Sequence, residues 1–173
     1  ADPEASSERC AALPGRTLYS YPVPELVAVG GLPTGLVGFT APGCGLASAG
    51  GDGSSSEHVL LPSRLAFFSV PFGVRAGLSV TANGVQRLTA EGAVALVTPT
   101  PSGDRFTAAA DGNLPSSWAE LVSVSDYRGI RLAAVRINPV ILSADWGGLC
   151  TARGLRISLD YGAAAGSPVR APG

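Results

Sequence analysis

The chain has 173 residues, enough for a single domain with a buried core. Its net charge is −1, and 14% of its residues are charged against 46% hydrophobic, which excludes a disordered polypeptide and the basic footprint of a nucleic-acid-binding protein. No apolar run reaches the length of a transmembrane helix, so neither nucleic acid nor membrane is an expected partner.

Residues 1–16 are small, polar and charged, and predict an irregular lead-in. All twelve basic residues are arginines, and methionine is absent, a pattern of GC-rich coding. Ala1-Asp2-Pro3 fits a mature end left by signal peptidase or a vector remnant, and both imply an exported protein, secreted or at the cell surface. From Thr17 to Val29 the residues favour strand, with Pro22 and Pro24 confining the first half to an edge or bend. Gly35 to Thr40 predicts a short strand. The Gly/Ser/Ala stretch from Gly43 to Ser56 predicts a loop.

Past His58 the strand signals become dense. Val59-Leu60-Leu61-Pro62, Leu65 to Val70 and Val74 to Ala82 read as strands punctuated by proline, and Asn83-Gly84 reads as a hairpin turn. Ala93 to Thr98 predicts a strand that stops at Pro99, and the polar stretch from Pro99 to Pro115 predicts a long loop. An arginine-bearing turn, Tyr127-Arg128-Gly129, leads into Ile130 to Ile137. Pro139 ends or kinks that run, which continues to Ser143 and a Gly-Gly turn. Leu155, Ile157, Leu159 and Tyr161 then alternate with polar residues, as a half-buried strand does. Short strands with frequent turn signals and no helical period predict an all-β, jelly-roll-like antiparallel β-sandwich over residues 17–162, followed by a flexible linker at 163–173.

Little points to catalysis. His58 is the sole histidine and has no acid in motif spacing, and Cys44 with His58 carries no local signature. Asp104, Asp111 and Asn113 do not have the spacing of an EF-hand loop, so no metal or cofactor is expected. Cys10, Cys44 and Cys150 allow three pairings with one thiol left over. A Cys10–Cys44 bridge is favoured because it would tether the N-terminus. Trp146, in an Asp-Trp-Gly-Gly turn, is expected to be more exposed than Trp118 and is a weaker candidate for a sugar platform.

Several blocks occur in an order that resembles the N-terminal prodomain of gingipain-like (C25-type, clan CD) cysteine peptidases. They are His58-Val59-Leu60-Leu61-Pro62, Leu78-Ser79-Val80, Leu96 to Pro99, Leu114-Pro115 with Ala119 to Val124, Arg128-Gly129, Val135 to Val140, Gly148-Leu149 and Leu155 to Leu159. The chain departs from the family in carrying Ile141-Leu142-Ser143 where a tyrosine and a second proline are usual, and in its lack of lysine.

The resemblance implies a non-catalytic domain that acts as folding aid and latency inhibitor. Its partner would be a cysteine peptidase domain, downstream or separate. By the same resemblance Arg105, between Asp104 and Phe106, is the arginine presented to the peptidase S1 pocket, with Phe106 after the would-be scissile bond. The planar guanidinium suits an acidic pocket because it donates in a fork. Cleavage between Arg170 and Ala171 would release the domain. The competing expectation is an extracellular structural sandwich that assembles with itself through proline-marked edge strands.

Overall fold

The computed structural model describes residues 8–49 and 56–161. In chain order its strands are β1 (Arg9–Leu13), β2 (Arg16–Pro22), β3 (Val27–Ala28), β4 (Leu36–Val37), β5 (Phe39–Thr40), β6 (Gly45–Ser48), β7 (His58–Ser69) and β8 (Gly77–Asn83). They continue as β9 (Gln86–Arg87), β10 (Ala93–Thr100), β11 (Gly103–Ala108), β12 (Ala119–Tyr127), β13 (Ile130–Ile137), β14 (Val140–Ser143), β15 (Gly148–Thr151) and β16 (Gly154–Asp160). The one helical element among the described residues is a 3-10 turn at Asp111–Asn113.

Two sheets carry the architecture. One has the order β1-β2-β16-β8 and the other β11-β10-β7-β13-β12, with β4 beside β10 and β6 beside β7. The alternation in β16 turns Leu155, Ile157 and Leu159 inward, where they meet Tyr19 and Tyr21 of β2, Phe68 of β7, and Ala133, Val135 and Ile137 of β13. Residues of both sheets thus share one core, which makes the domain a β-sandwich. Each fully buried Ile or Leu contributes about 1.5–3 kcal/mol by leaving water.

Strand β7 organises the larger sheet. Its first half is buried on both faces, with Val59 and Leu61 packing against Val94 and Val140, and Leu60 against Ala95 and Val97. Its second half is buried on one face only, so that Phe68 lies in the core while Leu65 and Phe67 face outward. Pro62 does not end the strand. The ladder to β6 instead becomes irregular there, jumping from the pair Leu46–Pro62 to the pair Ala47–Val59, which accommodates a residue without an N–H.

The kink at Asn138-Pro139 between β13 and β14 is buried and hydrogen-bonded. Asn138 is 1% exposed; its backbone N–H donates to the Trp118 carbonyl at 2.8 Å, and its Nδ2 donates to the Ser117 carbonyl at 3.0 Å. The Ser63 hydroxyl donates to Asn138 Oδ1 at 3.3 Å. These bonds supply the partners that a buried amide requires.

Several sequence expectations are corrected. Arg9–Leu13 is not irregular lead-in but strand β1, paired with β2 from Arg9↔Ser20 to Leu13↔Arg16. Glu8 extends the attachment: it accepts from the Tyr19 hydroxyl and takes a fork from Arg64 at 3.0 and 3.2 Å. Part of the expected loop at Gly43 to Ser56 is strand β6 on β7. Asn83-Gly84 is not a hairpin turn, because β8 pairs with β16 while the following β9 pairs with β15. The turn hands the chain from one sheet to another. Linker 163–173 and the expected cleavage point at Arg170-Ala171 lie outside the described residues.

The Cys10–Cys44 bridge is absent, and all three cysteines are free. Cys10 lies on the exposed strand β1, Cys44 Sγ is 3.4 Å from the Tyr21 hydroxyl oxygen, and Cys150 is buried on β15. The β1 ladder and the Glu8 fork hold the N-terminal strand in place of a disulfide. Thiol alkylation of the native chain, followed by peptide mapping, should modify Cys10 readily. Cys150 should react only in denaturant, since it is fully buried and burial pushes its pKa up.

The Glu8 attachment should also respond to acid. The Tyr19 hydrogen bond, with help from Arg64, holds the Glu8 carboxyl below its ordinary value of 4.5. A depressed folded-state pKa contributes stability that is complete above the ordinary value and lost as pH falls through the folded one. Between pH 6 and strongly acidic solution, denaturant midpoints of the native chain should lose this contribution, under about 1 kcal/mol for a half-exposed pair. Glu8→Gln should flatten that part of the profile.

Candidate functional site

The stretch from Pro99 to Pro115 is where sequence and structure differ most usefully. It is not a long loop. β10 runs through Pro99 to Thr100, a two-residue turn follows at Pro101-Ser102, and β11 returns antiparallel. The turn is closed by the Thr100 hydroxyl, which donates to the Gly103 carbonyl, and Gly103 has φ 122°, a conformation open chiefly to glycine. The β-formers Val97 and Thr98 on the partner strand give Gly103–Ala108 a ladder that its own composition does not suggest.

The register places the three predicted residues individually. Asp104 stands opposite Pro99, Arg105 opposite Thr98 and Phe106 opposite Val97. Successive side chains on a strand point to opposite faces. Phe106 turns inward and packs against the cluster of Leu60, Ala95 and Val97. Arg105 is exposed on the other face, as the alternation requires. Among the described residues its guanidinium has no ion-pair or hydrogen-bond partner. Phe106 therefore anchors the strand, and Arg105 is the side chain it offers.

Beyond β11 the chain is pinned again. The Ala109 N–H donates to the Val94 carbonyl at 2.8 Å, the 3-10 turn closes through Leu114 N–H to the Asp111 carbonyl at 3.1 Å, and Leu114 packs on the core cluster of Val59, Leu61 and Val94. A hairpin fastened at its base, its middle and its exit presents Arg105 with little freedom to lose on binding. β11 also ends its sheet, so among the described residues one side of its backbone faces no neighbouring strand. No group of three or more His, Cys, Asp or Glu side chains that could hold a metal ion exists among the described residues.

Sequence reasoning read Arg128 only as part of a turn. It occupies the tip of the β12–β13 hairpin at φ 50°, with Gly129 at φ 79°. Positive φ is uncommon for a residue with a Cβ, and the Tyr127-Arg128-Gly129 order is the signal that foretold the turn. Its guanidinium lies 5.3 Å from the Tyr127 ring centroid, so it already has a partner where Arg105 does not. Trp146 is 48% exposed and Trp118 packs partly buried on the core, in the order expected.

No protein-family model matches the chain, and no curated protein does. Solved structures share its fold, among them the following two. One, from work on the zymogenic latency of gingipain K from Porphyromonas gingivalis, is 18% identical, covers 94% of this chain and 96% of its own, and superposes with a TM-score of 0.55. The other, the complex of the pro- and mature domains of RgpB from Porphyromonas gingivalis, is 14% identical, covers 90% of this chain and 84% of its own, and gives a TM-score of 0.67. The chain has a gingipain prodomain-like fold.

Proposed function

We propose that this chain is a non-catalytic prodomain of an exported, gingipain-like cysteine peptidase, which assists the folding of that peptidase and holds it latent. Arg105 enters the S1 pocket of the peptidase, and cleavage after Arg170 releases the domain. The observation that carries the reading is the placement of Arg105. An unpartnered guanidinium projects from an extended edge strand whose next residue, Phe106, is clamped in a hydrophobic cluster.

Peptide recognition in an extended conformation uses main-chain hydrogen bonds for affinity and side-chain pockets for specificity. β11 offers both, with its free edge and with Arg105. Because its other edge is bonded to β10, the strand resists the distortion that peptide cleavage needs. It therefore binds as a substrate does and is cut slowly.

A second reading, self-assembly, is favoured by the same free edge together with the outward-facing Leu65 and Phe67, 49% and 60% exposed. One experiment separates the two. Titrating an arginine-specific gingipain-like peptidase with the purified chain, and sizing the mixture, should give stoichiometric inhibition and a one-to-one complex. A full-strength peptidase beside a concentration-dependent ladder of the chain's own oligomers would reject the prodomain reading.

A further inference from the structure

The outer face of the four-stranded sheet carries a cationic cleft that the inhibitory reading does not use. Its register aligns Arg9 of β1, Ser20 of β2, Arg156 of β16 and Thr81 of β8 in one cross-strand row. The inward neighbours Tyr19, Tyr21, Leu155 and Ile157 are buried, so the row faces solvent. Arg153, in the turn between β15 and β16, joins from the end of the sheet. Arg9, Ser20, Asn83, Arg153 and Arg156 line a cleft of about 520 Å³, and no carboxylate is among its described lining residues.

The position of Arg153 is built with care. Its N–H donates to the carbonyls of Asn83 at 2.9 Å and Gly84 at 3.2 Å, and its own carbonyl accepts from Val23 at 3.1 Å. Gly84 has φ 62°, and a Cβ there would lie 2.7 Å from the Arg153 Cβ. The turn that sequence reasoning took for a hairpin is thus the seat of an arginine. Neither Arg153 nor Arg156 has an acidic partner among the described residues. Arg153 and Arg156 are two like charges lining one cleft without an acidic partner among the described residues, which costs stability that an anionic ligand would recover.

We propose that this cleft binds a phosphate or sulfate ester on a polar organic body. Guanidinium forks match tetrahedral oxyanions in geometry and charge. The volume falls in the range of small-molecule pockets and far exceeds that of a bare ion, for which a water's share of roughly 30 Å³ sets the scale. Arg153 and Arg156 hold the oxyanion, and Ser20 and Asn83 offer hydrogen bonds to the hydroxyls of the body.

The test is calorimetric titration of the whole chain at low salt with glucose 6-phosphate, galactose 6-sulfate, inorganic phosphate and glucose. At least one ester should saturate, glucose should not bind, and added sodium chloride should weaken the ester. Which ester binds more tightly identifies the source of the oxyanion. The double variant Arg153→Ala/Arg156→Ala should weaken binding roughly tenfold or more, as loss of charge-assisted hydrogen bonds does. The single variant Arg156→Glu should abolish it while circular dichroism stays native. The proposal is overturned if neither ester saturates in the millimolar range, if Arg156→Glu binds as the parent does, or if inorganic phosphate binds as tightly as the better ester.

Discussion

Replacing Arg105 with alanine should raise the inhibition constant of the chain against an arginine-specific gingipain-like peptidase by roughly 30-fold or more. Truncating one partner of a desolvated, hydrogen-bonded charge pair costs about 2–5 kcal/mol, and each 1.4 kcal/mol is about tenfold. Arg105→Lys should fall between the two, because it keeps the charge and loses the fork. The variant should fold normally, since the Arg105 side chain is exposed and has no ion-pair or hydrogen-bond partner among the described residues. Progress curves at several chain concentrations measure the change. An inhibition constant that stays put would remove Arg105 from the site and turn attention to Arg128, the other arginine that a hairpin presents.

The largest expected loss of stability is at Ile137. It is 0% exposed, stands opposite Ala119 on one side and Arg64 on the other, and immediately precedes the buried Asn138. Ile137→Ala should destabilise the domain by about 2–5 kcal/mol, because the transfer energy of the lost methyl groups adds to the cavity left behind. Leu65, its near neighbour on β7, is 49% exposed, and Leu65→Ala should stay within about 0.5 kcal/mol of the parent. Urea midpoints of the two variants make the comparison. Equal losses would mean that the outer face of β7 is covered in solution, as the assembly reading requires.

Phe106 separates the two kinds of effect. Its ring holds β11 to the cluster of Leu60, Ala95 and Val97, so its removal would loosen the strand that carries Arg105. On the proposed reading, a change there would act on inhibition through positioning, whereas a change at Arg105 would act through contact.

Much of the architecture is legible in the order of residues. The alternation from Leu155 to Asp160 does form a strand with one buried face, though Tyr161 lies just beyond it; the Tyr127-Arg128-Gly129 turn does join two paired strands, and the break at Pro139 does separate β13 from β14. Each of these signals is local: side-chain period, turn chemistry and a missing N–H act within a few residues. Arg105, by contrast, was singled out only through resemblance.

What could not be read locally is pairing. Val97 and Thr98 make a strand of the polar Gly103–Ala108, and a partner on the far edge sends Asn83-Gly84 into a change of sheet where a hairpin was expected. Pro62 stays within a continuous strand because the irregularity falls in the ladder to β6. Arg9, Arg153 and Arg156 are dispersed in the chain and meet because β1, β2 and β16 lie side by side. The sequence by itself determined that the chain is all-β and which strand faces are apolar, since those follow from side-chain spacing. Only the tertiary structure decided which edges are joined and which side chains converge, because backbone hydrogen bonds between strands are blind to separation along the chain.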